Sequence, residues 1–249
     1  MNITDKTLNP DKMPRHVAVI MDGNGRWAQR QGRERTYGHQ HGVEAVRSVI
    51  EGAGEMGIQY LTLYAFSTEN WNRPREEVEM LMGLLVQAIH NELEGLMKNQ
   101  VRLQVTGRMK DLPAASRVAL QDAIDRTAGN KGLTVVLALS YSGRAEIVDM
   151  VGNIAREAAQ GTLDPGQITS DIVQQHLYHS EIPDPDILIR TGGDCRVSNF
   201  LLWQIAYTEL FFVPTMWPDF RKEDLRDIVL DFQHRERRYG KTGEQVLEQ

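Results

Sequence analysis

The chain has 249 residues, 41% of them hydrophobic, with 28 basic against 34 acidic side chains and a net charge of -6. That length gives one large domain or two small ones, and the acidic balance argues against a general nucleic-acid binder, which would be basic. No apolar run approaches the roughly 18 residues of a membrane span, the opening MNITDKTLNPDK lacks the apolar centre of a signal peptide, and a single cysteine, Cys195, excludes an internal disulfide and a cysteine-rich zinc site.

The expectation is a soluble intracellular protein. Residues 16–21 (HVAVIM) read as a buried strand. Val43, Val46, Val49, Ile50 and Ala53 then fall on one helical face, with Gly57 as the stop. Residues 60–66 read as a second strand. Pro74 and the Glu76/Glu77 pair open a longer helix with Val78, Leu81, Leu85, Ile89, Leu93 and Leu96 on its apolar face. Residues 101–105 give a third strand, 111–128 a weaker helical pattern and 134–139 a fourth strand. Ile147, Val151, Ile154 and Ala158 mark a helix closed by Gly161. Strands over 186–189 and 209–213 follow, then a helix carrying Leu225, Ile228, Val229 and Phe232. This alternation predicts one α/β domain over 1–249, with a six-stranded, mostly parallel sheet flanked by helices. Residues 1–13 and 241–249 are expected as flexible ends.

In open α/β sheets ligands bind beyond the carboxyl ends of the strands. The first strand ends in Asp22-Gly23-Asn24-Gly25-Arg26-Trp27-Ala28. Its glycines let backbone N–H groups approach an anion, and Arg26 offers a bidentate fork to phosphate. Arg30, Arg33, Arg35 and His39 add basic groups. An aspartate here repels phosphate unless a divalent cation lies between them, which makes Asp22 a candidate Mg2+ ligand. The plain alternative is a glycine turn on a solvated basic helix. Gly23-x-Gly25-x-x-Ala28 also fits a loose dinucleotide fingerprint. The acidic residue that fingerprint needs about 20 residues on has no place, because the second strand ends about 40 residues on.

The second strand ends in Ser67-Thr68-Glu69-Asn70-Trp71-Asn72-Arg73, a polar segment suited to hydrogen-bonding a substrate, or else a capped loop. The fifth ends in Arg190-Thr191-Gly192-Gly193-Asp194-Cys195-Arg196-Val197-Ser198, a second anion site. Two such sites at one sheet end suggest two phosphorylated substrates. Glu209 is a candidate second metal carboxylate or a surface one. Gly240-Lys241-Thr242 is no P-loop, since Arg235 stands where the earlier glycine is required. His176 and His179 read as surface or packing residues, and Cys195 has no neighbouring histidine to make it a nucleophile. Met80, Met82 and Met97 suit core packing or a soft wall for a flexible apolar ligand.

HVAVIMDGNGRWA at 16–28, LTLYAFSTENWNRP at 61–74, DILIRTGGDCRVSNFLLWQIAYTELFF at 186–212 and WPDF at 217–220 together resemble the cis-prenyltransferases, over roughly residues 14–240. The resemblance implies a homodimer in which Mg2+ supports condensation of isopentenyl diphosphate with farnesyl diphosphate. Successive cis additions then fill an apolar tunnel with a C55 undecaprenyl chain, the lipid-carrier precursor of cell-wall polysaccharide. It implies a cytoplasmic enzyme with transient membrane-surface contact for product release and no nucleic-acid partner. The alternatives are another product length or a catalytically silent partner subunit.

By position, the resemblance makes Asp22 the catalytic metal-binding aspartate and Glu209 the second metal carboxylate. Gly23, Asn24, Gly25, Arg26, Arg35 and His39 match the allylic diphosphate site, with Trp27 beside it. Ser67, Thr68, Glu69, Asn70, Trp71 and Arg73 match the loop bridging the two substrates. Arg190, Arg196, Val197 and Ser198 match the isopentenyl diphosphate site. Asn70 stands at the proton acceptor's position; an amide is a poor base, so it is expected to position substrate while a diphosphate oxygen or water takes the proton. Arg238-Tyr239-Gly240 resembles an Arg-x-Gly ending that reaches the partner subunit. Cys195 replaces a histidine of some relatives, and Ser140-Tyr141-Ser142-Gly143-Arg144 replaces Asn-Tyr-Gly-Gly-Arg. The tunnel is expected between the helices over 43–56 and 76–97, with Ala65 in its wall and Leu133 near its floor.

Overall fold

The apolar runs become strands because both of their faces are covered. All five residues of β1 (His16–Ile20) are buried. Val17 and Val19 join a core that includes Ala45, Val49, Leu225 and Val229. Ala18 and Ile20 point the other way, against Ala138, Leu188 and Phe200, as the two-residue period of a strand requires. The molecule, a computed structural model describing residues 7–236, continues with β2 (Tyr60–Ser67), β3 (Arg102–Thr106), β4 (Thr134–Tyr141), β5 (Ile187–Arg190) and β6 (Glu209–Phe212). The helices are α1 (Asn24–Arg30), α2 (Arg35–Glu55), α3 (Arg75–Lys98), α4 (Ala114–Thr127), α5 (Gly143–Ala159), α6 (Ser170–Gln175) and α7 (Lys222–His234).

The strands form one sheet in the order β3-β4-β2-β1-β5-β6, and every pairing is parallel. The sheet grows outward from β1 in both directions, which places a crevice at the carboxyl edge near β1. Ile20 is level with Tyr64 and Arg190. The segments after β1, β2 and β5 therefore leave the sheet at one edge. No helix among the described residues is long and apolar enough to cross a membrane.

Three expectations change. The helix expected over 43–56 begins at Arg35, and α1 precedes it. These turns lack an apolar stripe because glycines make the contact: a Cβ at Gly38 would lie 1.9 Å from the Asn24 carbonyl oxygen, and one at Gly42 2.6 Å from Asn24 Oδ1. Within the stretch expected to be a flexible N-terminus, Asn9 is tied to α7 by paired bonds with Gln233 at 3.0 and 2.9 Å. Asp186 precedes its strand, and its carboxylate accepts from the Arg15 and His16 amides. The expected tail over 241–249 and the Arg238-Tyr239-Gly240 ending lie outside the described residues.

Candidate active site

A cavity of about 730 Å³ opens at the carboxyl edge near β1. Asp22, His39, Asn70, Arg73 and Arg190 line its polar part. Val43, Val46 and Ile50 of α2, Leu81, Leu85 and Ile89 of α3, and Leu137 and Leu139 of β4 give it apolar walls. Ala65 is in the wall, as expected. Leu133 is not: it is buried in the core, while Leu103 and Val135 line that region. Of the three methionines considered, Met82 alone reaches the cavity.

Arg190 ends β5 and is 4% exposed. Its Nη1 donates to the Arg196 carbonyl and to Ser198 Oγ, both at 2.6 Å. Its Nη2 donates to Asp22 Oδ2 at 2.7 Å and Asp194 Oδ2 at 3.4 Å. Arg26 meets the same two carboxylates at 3.2 and 3.3 Å, and Arg196 meets Asp194 at 2.9 Å. Burial alone would raise the Asp22 carboxyl. The bonds from Arg190 and the Gly23 amide, with the charges of Arg190 and Arg26, hold it below its usual value. Arg190 Nε, Asn24 Oδ1 and His39 Nε2 are buried without hydrogen-bond partners. All three residues line the cavity, so unmet polar capacity is concentrated where a ligand would enter.

The segment after β2 is a short 3-10 turn over Thr68–Asn72 with a capping box. Asn70 Oδ1 accepts from the Ser67 amide at 3.0 Å. Asn199, which sequence reasoning missed, donates from Nδ2 to Glu69 Oε1 and Ser142 Oγ, both at 2.7 Å. Its φ of +62° lets one side chain join three segments. Burial would raise the Glu69 carboxyl, but the Asn199 bond and local donors hold it below its usual value. Asp194, also missed, is the carboxylate shared by three arginines. Its setting between glycine and cysteine gave no such signal.

Asp22, Asn24, His39, Ser67, Glu69, Asn70, Arg73, Arg190, Arg196 and Ser198 all line the cavity. Gly23 forms the left-handed turn before α1, with φ +104°. Gly25 admits the Arg35 guanidinium: a Cβ there would lie 2.7 Å from Arg35 Cζ. Thr68 bonds Glu69 at 3.3 Å. Trp27 stands outside the lining, bonded to Asp219 and stacked on Tyr37. Trp71 anchors its turn through Ser140 at 2.9 Å and packs on Phe66. Val197 packs against the second core. His39 was read as a basic group, but burial and the charges of Arg73 and Arg35 lower it to about 4. It is neutral near pH 7 and offers a hydrogen bond rather than a charge.

Glu209 does not meet Asp22 within this chain. It pairs in register with Ile187, at the amino edge of the sheet, whereas Asp22 follows the carboxyl edge. Three residues of parallel strand separate those edges by about 10 Å. Glu209 instead pairs with Arg235 at 2.9 Å. No cluster of three metal-ligating side chains occurs among the described residues. The site still fits Mg2+, which commonly takes one or two carboxylates and completes its shell with phosphate oxygens and water. Asp22, kept ionised in the cavity lining, is a hard oxygen donor suited to it.

An arginine-rich sheet edge opening into an apolar cavity suits a molecule with an anionic head and a long hydrocarbon tail, and the comparisons identify the class as prenyl transferase. The family model for undecaprenyl diphosphate synthase matches residues 20–240, and the chain belongs to that family. It is 52% identical to the isoprenyl transferase of Porphyromonas gingivalis, over 97% of this chain and 95% of that one. It is 45% identical to the (2E,6E)-farnesyl-diphosphate-specific ditrans,polycis-undecaprenyl-diphosphate synthase of Vibrio cholerae, over 96% of each chain. Lavandulyl diphosphate synthase from Lavandula x intermedia, solved with dimethylallyl diphosphate, superposes with a TM-score of 0.91 at 35% identity, covering 93% of this chain and all of that one.

Proposed function

We propose that this chain condenses isopentenyl diphosphate onto farnesyl diphosphate with Mg2+, adding cis units to a C55 product that serves as the lipid-carrier precursor of cell-wall polysaccharide. The observation that carries the reading is Arg190: a buried guanidinium with an unpartnered Nε, beside an ionised Asp22, at the mouth of an apolar cavity. The names of the Vibrio cholerae and Lavandula relatives supply farnesyl and dimethylallyl diphosphates as allylic precedents.

In this reading Arg190, Arg196 and Ser198 hold the isopentenyl diphosphate. Asn24, Arg26, Arg35 and His39 hold the allylic one, and Glu69 and Arg73 lie between them. Asp22 would hold Mg2+, which would supply positive charge for the departing diphosphate. The arginines stabilise the same developing charge and fix both substrates for attack by the isopentenyl double bond. The proton then lost from C2 goes to a diphosphate oxygen or water. Asn70 positions, because its oxygen is engaged by the Ser67 amide. A homodimer acting in the cytoplasm, with brief membrane contact to release product, completes the proposal.

Incubation of the purified protein with Mg2+, farnesyl diphosphate and labelled isopentenyl diphosphate, followed by product sizing, tests it. A C55 product abolished by EDTA is expected. A shorter product would correct the chain length, and folded protein inactive with every allylic primer would overturn the enzymatic reading.

A further inference from the structure

Every other residue that α3 contributes to the cavity wall is apolar; Glu92 is charged. It lies about 25 Å along α3 from Arg75, far from the diphosphate end. Arg47 of α2 closes on it with two bonds, Nε to Oε2 at 3.0 Å and Nη2 to Oε1 at 2.5 Å. The pair therefore spans the seam between the two helices that enclose the cavity. Within α3, Gly83 and Gly95 lie near the two ends of this wall, which runs from Leu81 to Leu96. A Cβ at either would meet nothing within 4 Å, and neither has a positive φ. Among the described residues of this chain neither packing nor backbone conformation calls for glycine there, and both weaken the helix relative to alanine.

We propose that Arg47 and Glu92 form a clasp across the α2–α3 seam that sets how long a prenyl chain the cavity takes. Gly83 and Gly95 let the intervening wall yield when the chain reaches the clasp. This rests on the chain-elongating reading above. The Arg47 side chain is 53% exposed and that of Glu92 25%, and an ion pair open to solvent on one side contributes little to stability, so a growing apolar chain can part it and its removal leaves the fold intact.

Full-length variants would be compared for product length with farnesyl diphosphate, labelled isopentenyl diphosphate and Mg2+. Arg47→Ala and Glu92→Ala should each lengthen the main product by at least one C5 unit. The exchange Arg47→Glu with Glu92→Arg should restore the parent distribution, and Gly83→Ala with Gly95→Ala should shorten it. Hydrogen exchange in α3, which needs no turnover, should rise in Glu92→Ala and recover in the exchanged pair. Unchanged lengths in the single variants, failure of the exchange to restore them, or unchanged α3 exchange would overturn the clasp. A wild-type protein that makes no polyprenyl product would overturn the enzymatic reading, and the proposed role in chain length with it.

Discussion

Arg190 is held by the Arg196 carbonyl, Ser198, Asp22 and Asp194, so its charge is aimed before any ligand arrives. Preorganised charge of this kind costs no rearrangement during reaction. Asn70 is oriented in the same manner: the Ser67 amide takes its oxygen, and its NH2 is the group left for substrate. Asn70→Asp should keep the turn, since a carboxylate oxygen accepts the same bond, but it replaces a donor with a negative charge beside two diphosphates. Hydrogen bonds to charged groups contribute about 1.5–3 kcal/mol, so kcat/KM should fall roughly tenfold to a hundredfold, with no gain toward higher pH. Rates measured from pH 5 to 9 would decide. Full activity with a new ascending limb would mean that a base works at this position.

The β2–β4 register shifts between Tyr64 and Phe66, and Ala65, at that irregularity, is exposed to the cavity. Ala65→Leu adds bulk to a wall faced by Leu137 and Leu139, and the main product should lose one or more C5 units on sizing. An unchanged product would remove Ala65 from the chain's path. The strands and α3 were legible in the sequence because burial imposes apolar runs and a helical period. The region from Asn24 to Gly42 was not, since its helices meet through glycines and a backbone oxygen, which leave no apolar pattern. The polar cluster was legible as residues following strands. Its internal bonds were not: Asn199 joins Glu69 across 130 positions, and no local spacing encodes that. The edge that Glu209 occupies was hidden for a related reason, because only the β5–β6 register reveals it.

At the scale of the molecule, the central strand carries a histidine that couples the fold to pH. His16 is 3% exposed, with Nδ1 at 2.6 Å from the Pro183 carbonyl and Nε2 at 2.7 Å from Thr62 Oγ1. Burial outweighs the Pro183 bond and the Asp186 charge and lowers it to about 4 from 6.5. Between those values the unfolded chain binds the proton and the folded one does not. Stability from His16 is therefore complete above pH 6.5 and is lost as pH falls toward 4, by about 3 kcal/mol in all. His39, lowered to about 4, acts in the same direction. Glu146, raised by burial, acts in the opposite one. The informative quantity is thus a difference between proteins: urea unfolding of wild type and His16→Asn at several pH values from 5 to 6.5. The wild-type free energy should fall more steeply on acidification, by up to about 1.4 kcal/mol per pH unit. Removing His16 costs stability at neutral pH, where its two bonds are intact, so the curves should converge as pH falls. Parallel curves would mean that His16 keeps an ordinary affinity for its proton inside the sheet.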